Sequence, residues 1–280
     1  MLSYERKIES AIRLIKSIPQ DCEIGLAYSG GKDSDCILEL AKMAGVRVRP
    51  VYFQTSIDPP GTTAHVKEMG VEIVRPPETF FQIVERKGNP SRFKRFCCEI
   101  LKEKWFADRI IVGIRRSESQ RRAERYNEPE VCRIYGKGKK SRQYLPILEW
   151  NDEDVERFIK ERGIKCAPVY YDDAGEFRVE RRLGCIGCPL KSDNGLSDYE
   201  KYPKFLKAQI RAYQRYLDKH TTSKWYKRIG GSAINTFFYY LFCHSYDEYE
   251  MLTGGGQLFE SERVNPKVFM ENHFGIDFEG

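Results

Sequence analysis

The sequence predicts an α/β protein with a doubly wound, mostly parallel sheet, followed by a mostly helical C-terminal appendage. Short apolar runs alternate with helical patterns between residues 23 and 163, which is typical of parallel strands joined by helices. Beyond residue 190 the pattern changes to helical spacing and then to aromatic runs broken by glycines. We therefore expect one domain over residues 1–215 and an appendage over residues 216–280.

Each element has a local signal. The strand patterns are EIGLAY (23–28), VRVRPVYFQT (46–55), VEIVRP (71–76) and RIIVGIR (109–115). The helical patterns are DSDCILELAKMAG (33–45), residues 63–70, residues 151–163 and residues 202–220. Asn151 is a strong N-cap signal and Gly163 a helix stop. The basic stretch GKGKKSRQ (136–143) is expected to be a surface loop.

Composition favours a protein with a substantial core and anionic partners. Hydrophobic residues make up 41% of the chain, yet the longest apolar run, FFYYLFC (237–243), is far shorter than a membrane helix. The N-terminal segment has the pattern of an amphipathic helix and lacks a signal-peptide core, so we expect a cytoplasmic protein with no membrane contact. The net charge of +6 favours nucleotide or nucleic-acid partners, although only weakly.

The stretch SGGKDS joins a strand pattern to a helix pattern. Backbone N–H groups and the helix dipole at such a junction favour an anion such as phosphate. Glycines allow close backbone approach, the hydroxyls donate hydrogen bonds, and the lysine adds positive charge. The aspartate is placed to orient a magnesium ion, and the spacing is not that of a Walker loop. The alternative is a plain glycine-rich turn. The candidate nucleotide-binding residues are Ser29, Gly30, Gly31, Lys32, Asp33 and Ser34.

Four of the nine cysteines fall into two close pairs. Cys97 and Cys98 are adjacent in FCCE, and Cys185 and Cys188 form a CxxC pair in GCIGC. Four thiolates suit either a [4Fe–4S] cluster or a structural zinc ion, and adjacent cysteines are awkward for tetrahedral zinc. The third interpretation is that these four cysteines are buried and bind no metal. The remaining cysteines are expected to be packing residues: Cys22, Cys36, Cys132, Cys166 and Cys243.

The segment GIRRSESQRRAER (113–125) follows a strand pattern and is rich in arginine. Arginine forks match the geometry of phosphate and sulfate oxygens. The segment is therefore either an anion-binding stretch, with Arg115 and Arg122 as the main contacts, or a solvated helix face.

SGGKDS resembles SGGxDS, the PP-loop of the ATP pyrophosphatase superfamily. SGGKDS is followed by CC and then by CxxC, and with this order of motifs residues 20–215 resemble the phosphoadenosine or adenosine phosphosulfate reductase family. The resemblance implies an adenine nucleotide alpha-hydrolase-like fold, ATP and Mg²⁺ at Ser29–Ser34, and catalytic roles for Lys32, Asp33 and Arg115. It also implies a [4Fe–4S] cluster on the four paired cysteines, with zinc as the alternative. The family stretch G-x-R-x-x-E-S-x-x-R, which grips the anionic end of the substrate, corresponds to Gly113, Arg115, Glu118, Ser119 and Arg122.

The reductases of this family carry a further nucleophilic cysteine near the C-terminus, whereas this chain ends in ENHFGIDFEG and its last cysteine, Cys243, lies in a run expected to be buried. The leading expectation is therefore a PP-loop enzyme that adenylates an acceptor for sulfur transfer, with DNA or RNA received by residues 115–125 and 137–142. A sulfur donor would be a further partner.

Two alternatives stay open. One is a sulfonucleotide reductase whose thiol comes from a thioredoxin-like partner or from Cys243. The other is a non-catalytic, metal-stabilised module that binds a nucleotide or a nucleic acid.

Overall fold

The computed structural model describes residues 2–254 and 263–278. Its strands are β1 (Ile24–Ala27), β2 (Arg49–Phe53), β3 (Glu72–Val74), β4 (Arg109–Val112), β5 (Glu130–Ile134) and β6 (Lys140–Tyr144). Its helices are α1 (Tyr4–Lys16), α2 (Lys32–Ala44), α3 (Thr62–Glu68), α4 (Phe80–Lys87), α5 (Phe96–Leu101), α6 (Gln120–Arg125), α7 (Asp152–Arg162), α8 (Leu196–Lys201), α9 (Pro203–Asp218), α10 (Lys224–Arg228), α11 (Ala233–Phe242), α12 (Tyr246–Gly254) and α13 (Pro266–Phe274).

The strands form one sheet in the order β3-β2-β1-β4-β6-β5. The pairs β1–β2, β2–β3, β1–β4 and β4–β6 are parallel, and only β5 runs antiparallel to its neighbour β6. The chain winds from β1 outward to β3 and then returns to the other side of β1 as β4. This confirms the predicted doubly wound, mostly parallel sheet. It also places the reversal of winding between β1 and β4, where sheets of this kind bind ligands.

The helix signals near the site are also confirmed. Asn151 caps α7, and its side chain accepts a hydrogen bond from the Asp154 backbone N–H at 2.8 Å. The Asp154 side chain accepts a hydrogen bond from the Asn151 backbone N–H, which completes a capping box. Gly163 ends the helix. The start of α7 is thereby fixed relative to the preceding loop.

Residues 136–143 are not the simple loop that the sequence predicts, because residues 140–143 belong to β6. The inward-facing positions of β6 include Ser141 and Gln143, which are polar and buried. Their side chains are satisfied by hydrogen bonds to the Ala107 carbonyl and the Tyr135 hydroxyl. A strand with polar residues on its buried face lacks the hydrophobic alternation that predicts a strand. The sequence pattern therefore predicts neither β6 nor its partner β5.

The chain divides into two compact units, one of residues 1–76 and 99–184 and one of residues 77–98 and 185–280. The first unit contains the sheet, with α2 packed against both α1 and α7. The second is helical, with α4 and α11 packed on α9. This division differs from the boundary expected after residue 215, which falls inside α9. The reason is that α4, distant in sequence, packs along α9.

No helix within the described residues combines the length and the apolar character needed to cross a bilayer. The aromatic run at 237–243 lies mostly in α11, which has 10 residues.

Candidate functional site

The loop Ser29–Ser34 leads from β1 into α2. Gly30 adopts a φ of +76°, and a Cβ atom there would lie 3.0 Å from the Thr62 methyl group, so this position requires glycine. Gly31 is the N-cap of α2 and makes no side-chain capping bond to the first turn. The N-terminus of α2 therefore presents backbone donors and the positive end of the helix dipole.

The two serines of the loop stabilise its turn. Ser29 Oγ accepts a hydrogen bond from the Gly31 N–H at 3.3 Å, and the Ser34 hydroxyl donates to the Gly31 carbonyl at 2.7 Å. Their direct contact with phosphate stays a prediction.

Lys32 is buried at the start of α2. Its ammonium group lies 5.2 Å from the centre of the Tyr170 ring and donates to the Arg181 carbonyl at 3.4 Å. Burial lowers the pKa of Lys32, the Asp33 carboxylate raises it, and the Arg115 guanidinium lowers it again. Lys32 is thus a partly desolvated cation with no carboxylate in direct contact among the described residues, and an anion would stabilise its charge.

Arg115 is buried and holds two carboxylates. Its Nε donates to Asp33 Oδ1 at 2.7 Å and its Nη2 donates to Asp152 Oδ1 at 2.9 Å, with 2% of the side chain exposed. A third bond runs to the Ser117 hydroxyl at 3.1 Å. The guanidinium therefore joins the first turn of α2 to the start of α7. This internal role was missed from the sequence, and direct contact of Arg115 with a substrate stays a prediction.

Arg122 and Arg182 add positive charge beside this pair. Burial lowers the pKa of Arg122, the Asp33 carboxylate raises it, and the charges of Arg115 and Arg182 lower it. Arg122 also pairs with Glu118, whose backbone carbonyl accepts a hydrogen bond from Arg182 at 3.4 Å. The cations around Asp33 thus outnumber the carboxylates that neutralise them. Arg182 was not predicted as part of this site, because in the sequence Arg182 stands beside the segment that contains Cys185 and Cys188.

Gly113 allows β4 to approach the loop closely. A Cβ atom at Gly113 would lie 3.0 Å from the backbone oxygen of Asp33, so any side chain would push α2 away from the strand. The glycine that the family stretch predicts is therefore required by packing against the loop.

A buried polar cluster supports α2 from behind. The Tyr28 hydroxyl donates to Asp35, and His65 Nε2 lies 3.0 Å from both the Tyr28 hydroxyl and Asp35 Oδ1. Burial raises the pKa of the Asp35 carboxyl group, and the hydrogen bond with His65 lowers it. The cluster ties β1, α2 and α3 together. Sequence reasoning missed it because its members are far apart in the chain.

The four paired cysteines are all half-buried and all belong to the helical unit. The hydrogen bond with Cys98 raises the pKa of the Cys97 thiol, and burial and the charges of Cys98, Cys185 and Cys188 raise it further. Arg95 Nη2 donates to Cys98 Sγ at 3.8 Å. The CC and CxxC segments are therefore near enough for their charges to interact, and one arginine bonds the sulfur of Cys98.

The chemistry of these donors fits a thiolate-bound metal centre. Four thiols with an adjacent guanidinium match the ligands of a [4Fe–4S] cluster or of zinc. Within residues 2–254 and 263–278, however, no three His, Cys, Asp or Glu side chains are grouped so that they could hold a metal ion, so a metal centre on these cysteines stays a prediction. The residues that would hold such a centre are Cys97, Cys98, Cys185 and Cys188.

The other five cysteines divide differently from the prediction. Cys36 and Cys166 are buried, as expected for packing residues. Cys22 and Cys132 are exposed, because Cys22 precedes β1 and Cys132 lies on an outward-facing position of the edge strand β5. Cys243 was expected to be buried, but it lies half-exposed at the C-cap of α11. Burial nevertheless raises the pKa of its thiol to about 11.

A parallel sheet that reverses its winding at β1, with an SGGKDS loop and clustered cations at that point, defines a PP-loop α/β protein. The model of the phosphoadenosine phosphosulfate reductase domain family matches residues 23–230. The chain belongs to this family, which confirms the resemblance inferred from the motifs.

Two curated relatives are similar in sequence to part of this chain. An uncharacterised protein of Methanocaldococcus jannaschii is 27% identical over 246 residues, which cover 81% of this chain and 48% of that protein. The sulfate adenylyltransferase subunit 2 of Hyphomonas neptunium is 24% identical over 207 residues, 60% of this chain and 62% of that one. The chain thus spans less than two thirds of the length of either relative.

Two solved structures each match about two thirds of this chain. The FMN adenylyltransferase of Candida glabrata has a TM-score of 0.46 at 16% identity, covering 66% of this chain and 62% of that one. The phosphoadenylyl-sulfate reductase of Candida auris has a TM-score of 0.45 at 14% identity, covering 66% of this chain and 96% of that one.

Proposed function

We propose that the protein binds ATP with Mg²⁺ at Ser29–Ser34 and transfers AMP to an acceptor, DNA or RNA, which prepares that acceptor for sulfur transfer. The observation that carries the proposal is the set of four cations around Asp33 at the N-terminus of α2, which faces only three carboxylates among the described residues. The cations are Lys32, Arg115, Arg122 and Arg182, and the carboxylates are those of Asp33, Asp152 and Glu118. Membership of the phosphosulfate reductase family supports an adenosine nucleotide as the anionic ligand.

The bond changes balance as follows. An acceptor oxygen attacks the α-phosphorus of ATP, the bond between the α-phosphorus and the bridging oxygen breaks, and pyrophosphate leaves with the electron pair. The acceptor proton passes to solvent. Backbone N–H groups at the start of α2 and the Lys32 ammonium group stabilise the charge that develops on the leaving pyrophosphate. A sulfur nucleophile from a separate donor then attacks the carbon or phosphorus that bears the adenylated oxygen. A bond from sulfur to that atom forms, its bond to the oxygen breaks, and AMP leaves with the oxygen and the electron pair.

Asp33 and Arg115 have complementary roles in this scheme. Asp33 Oδ1 accepts a hydrogen bond from Arg115, which fixes the carboxylate, and the Asp33 carboxylate would help to hold the magnesium ion. Arg115 is then mainly a positioning residue, and Arg122 and Arg182 neutralise the phosphates. A metal centre on the four paired cysteines would supply thiolate-bound metal for handling sulfur. The Leu183 side chain neighbours Gly30 of the loop. Cys185 lies two residues after Leu183 in the sequence.

The exposed basic surface of the sheet unit supports a nucleic-acid acceptor. Lys139 stacks on the Trp105 ring at 3.8 Å, and Arg133 lies over the Tyr135 ring at 5.1 Å. Arg142 on β6 is exposed as well. Cations beside aromatic rings suit both the phosphates and the bases of a single strand.

The test is pyrophosphate release from ATP and Mg²⁺, with and without single-stranded DNA or RNA. We expect release to depend on the nucleic acid and to fall about 100-fold in Lys32→Ala. Lys42→Ala, an exposed lysine on the same helix, is the matched control and should keep full activity. ATP binding with no pyrophosphate release on any DNA or RNA would refute adenylation and would favour the non-catalytic binding module.

The reductase is the second candidate, because the chain belongs to the phosphosulfate reductase family. The raised pKa of Cys243 makes it a poor nucleophile near neutral pH, so the attacking thiol would come from a thioredoxin-like partner. Sulfite release from a phosphosulfate substrate with thioredoxin would support this reaction. Full activity of Cys243→Ser in that assay would remove Cys243 from it.

A further inference from the structure

The helical unit contains a cavity of about 260 Å³ beside the CxxC segment. Gly187 and Pro189, which flank Cys188 in the sequence, form part of its wall. Aromatic rings form much of the remainder, and they are those of Phe93, Tyr199, Phe237 and Tyr240. A cavity with flat apolar walls is suited to a planar ring rather than to a flexible aliphatic chain.

Two of these rings lie where a ligand can reach them. Phe93 is 97% exposed, which is unusual for so large an apolar side chain. Tyr240 is 43% exposed, and its ring is stacked on Trp225 with the centroids 5.9 Å apart. One ring at the cavity is therefore pre-positioned, and the other is available for stacking.

The polar groups of the cavity are few and ordered. Gln209 is buried, accepts a hydrogen bond from the Tyr199 hydroxyl at 3.0 Å, and donates to Asn89 Oδ1 at 2.7 Å. This network fixes the Asn89 amide and leaves its Nδ2 without a hydrogen-bond acceptor among the described side chains and backbone. An oriented amide donor on an aromatic wall is the means by which proteins read the edge of a base.

The charge beside the cavity favours a polyanion. No carboxylate is among the described residues that line it. In the part of the chain that the structure describes, the charged side chain in its wall is that of Arg92, which donates to the carbonyls of Pro189 and Lys191 at 3.1 and 2.8 Å. Lys94 and Arg95 continue the same basic segment. Phosphates on either side of a bound ring would be attracted to this surface.

We propose that this cavity receives one unpaired base of the acceptor nucleic acid, stacked on Phe93 and Tyr240 and hydrogen-bonded by the Asn89 amide. The base would then lie beside the cysteine pair that is expected to handle sulfur. This site rests on the proposed function for the identity of its ligand. Its aromatic and amide walls are a separate observation from the phosphate loop.

The experiment measures binding of a single-stranded oligonucleotide in which one base is 2-aminopurine, whose fluorescence falls when it stacks. The intact protein should quench it. Phe93→Ala and Tyr240→Ala should each weaken binding about 5- to 100-fold, whereas Tyr240→Phe should bind like the unchanged protein. Asn89→Asp keeps the acceptor for Gln209, removes the donor and adds a negative charge, so binding should fall as well. Met251→Ala removes an exposed apolar side chain outside the cavity and should change nothing.

The outcomes separate this site from the proposed function. Quenching that depends on Phe93 and Tyr240 but occurs without pyrophosphate release would support the cavity and contradict adenylation. A second outcome would overturn the proposed base site alone. In it, pyrophosphate release depends on nucleic acid, an abasic oligonucleotide binds as tightly as an intact one, and the variants have no effect. If the intact protein binds no oligonucleotide, both fail.

Discussion

Arg115 Nε donates a hydrogen bond to Asp33 Oδ1 at 2.7 Å, linking the strand-end segment after β4 to the first turn of the phosphate-loop helix α2. The same guanidinium holds Asp152 at the start of α7. One buried side chain therefore fixes the carboxylate of the PP-loop.

Replacing this arginine should destabilise the fold as well as the site. Arg115→Ala removes the guanidinium that bonds both Asp33 and Asp152, and we expect the free energy of unfolding to fall by about 2–4 kcal/mol, less than for a fully buried pair because Asp152 is exposed. Urea denaturation followed by circular dichroism measures the change. Arg142→Ala breaks an exposed pair with Glu130 and should cost under about 1 kcal/mol. Equal effects of the two variants would mean that Arg115 does not organise the loop.

The loop glycine offers a test that separates backbone strain from steric contact. Gly30→Ala forces a side chain into a positive-φ position that also faces Thr62, so nucleotide affinity should fall at least about 10-fold. Gly45→Ala has a similar φ of +68° at the end of the same helix, but nothing lies within 4 Å of its Cβ. It should lose about 1 kcal/mol of stability and keep its affinity for ATP. Titration calorimetry on both variants makes the comparison. Normal ATP binding by Gly30→Ala would rule out close contact between the loop and the phosphates.

The thiol of Cys243 should react slowly at neutral pH. The thiolate is the reactive form, and burial raises the pKa of Cys243 to about 11, so little thiolate is present near pH 7 and its fraction grows as the pH rises toward 11. Alkylation by iodoacetamide, followed residue by residue with mass spectrometry, should show this rise. A Cys243 rate already at its plateau at pH 8 would contradict the expectation and would revive this residue as a candidate nucleophile.

Metal content tests the four paired cysteines. Protein purified without oxygen should contain iron and sulfide at about four of each per chain, with a broad absorption band near ~400 nm. Cys97→Ser should lose most of the iron, and Cys132→Ser, an exposed cysteine outside the cluster, should lose none. Zinc without iron would indicate a structural zinc site. If the protein contained no iron and no zinc, these cysteines would be packing residues.

The part of the fold that the sequence predicts correctly is the part with strong local signals. The strand patterns at 23–28 and 109–115 and the caps at Asn151 and Gly163 all mark real elements, since hydrophobic alternation and capping act over a few residues. The strands β5 and β6 escape prediction because Ser141 and Gln143 face inward as polar residues satisfied by distant partners.

Short motifs predict single components of the candidate site but not their pairings. SGGKDS marks the loop between β1 and α2, and the role of the four paired cysteines as metal ligands stays a prediction. The pairing of Arg115 with Asp33 joins residues 82 positions apart, and the cluster of Tyr28, Asp35 and His65 depends on how β1, α2 and α3 pack. Such contacts follow from tertiary structure and leave no local trace in one sequence.

We propose that the cations at the start of α2 bind the phosphates of ATP. The most direct measurement is the dissociation constant of ATP·Mg²⁺ for the unchanged protein, for Lys32→Ala and for Lys42→Ala by titration calorimetry. Tight binding that weakens about 10- to 100-fold in Lys32→Ala, and not in Lys42→Ala, is the expected result. Equal affinities in all three proteins would contradict the claim and would place the nucleotide, if it binds at all, away from Ser29–Ser34.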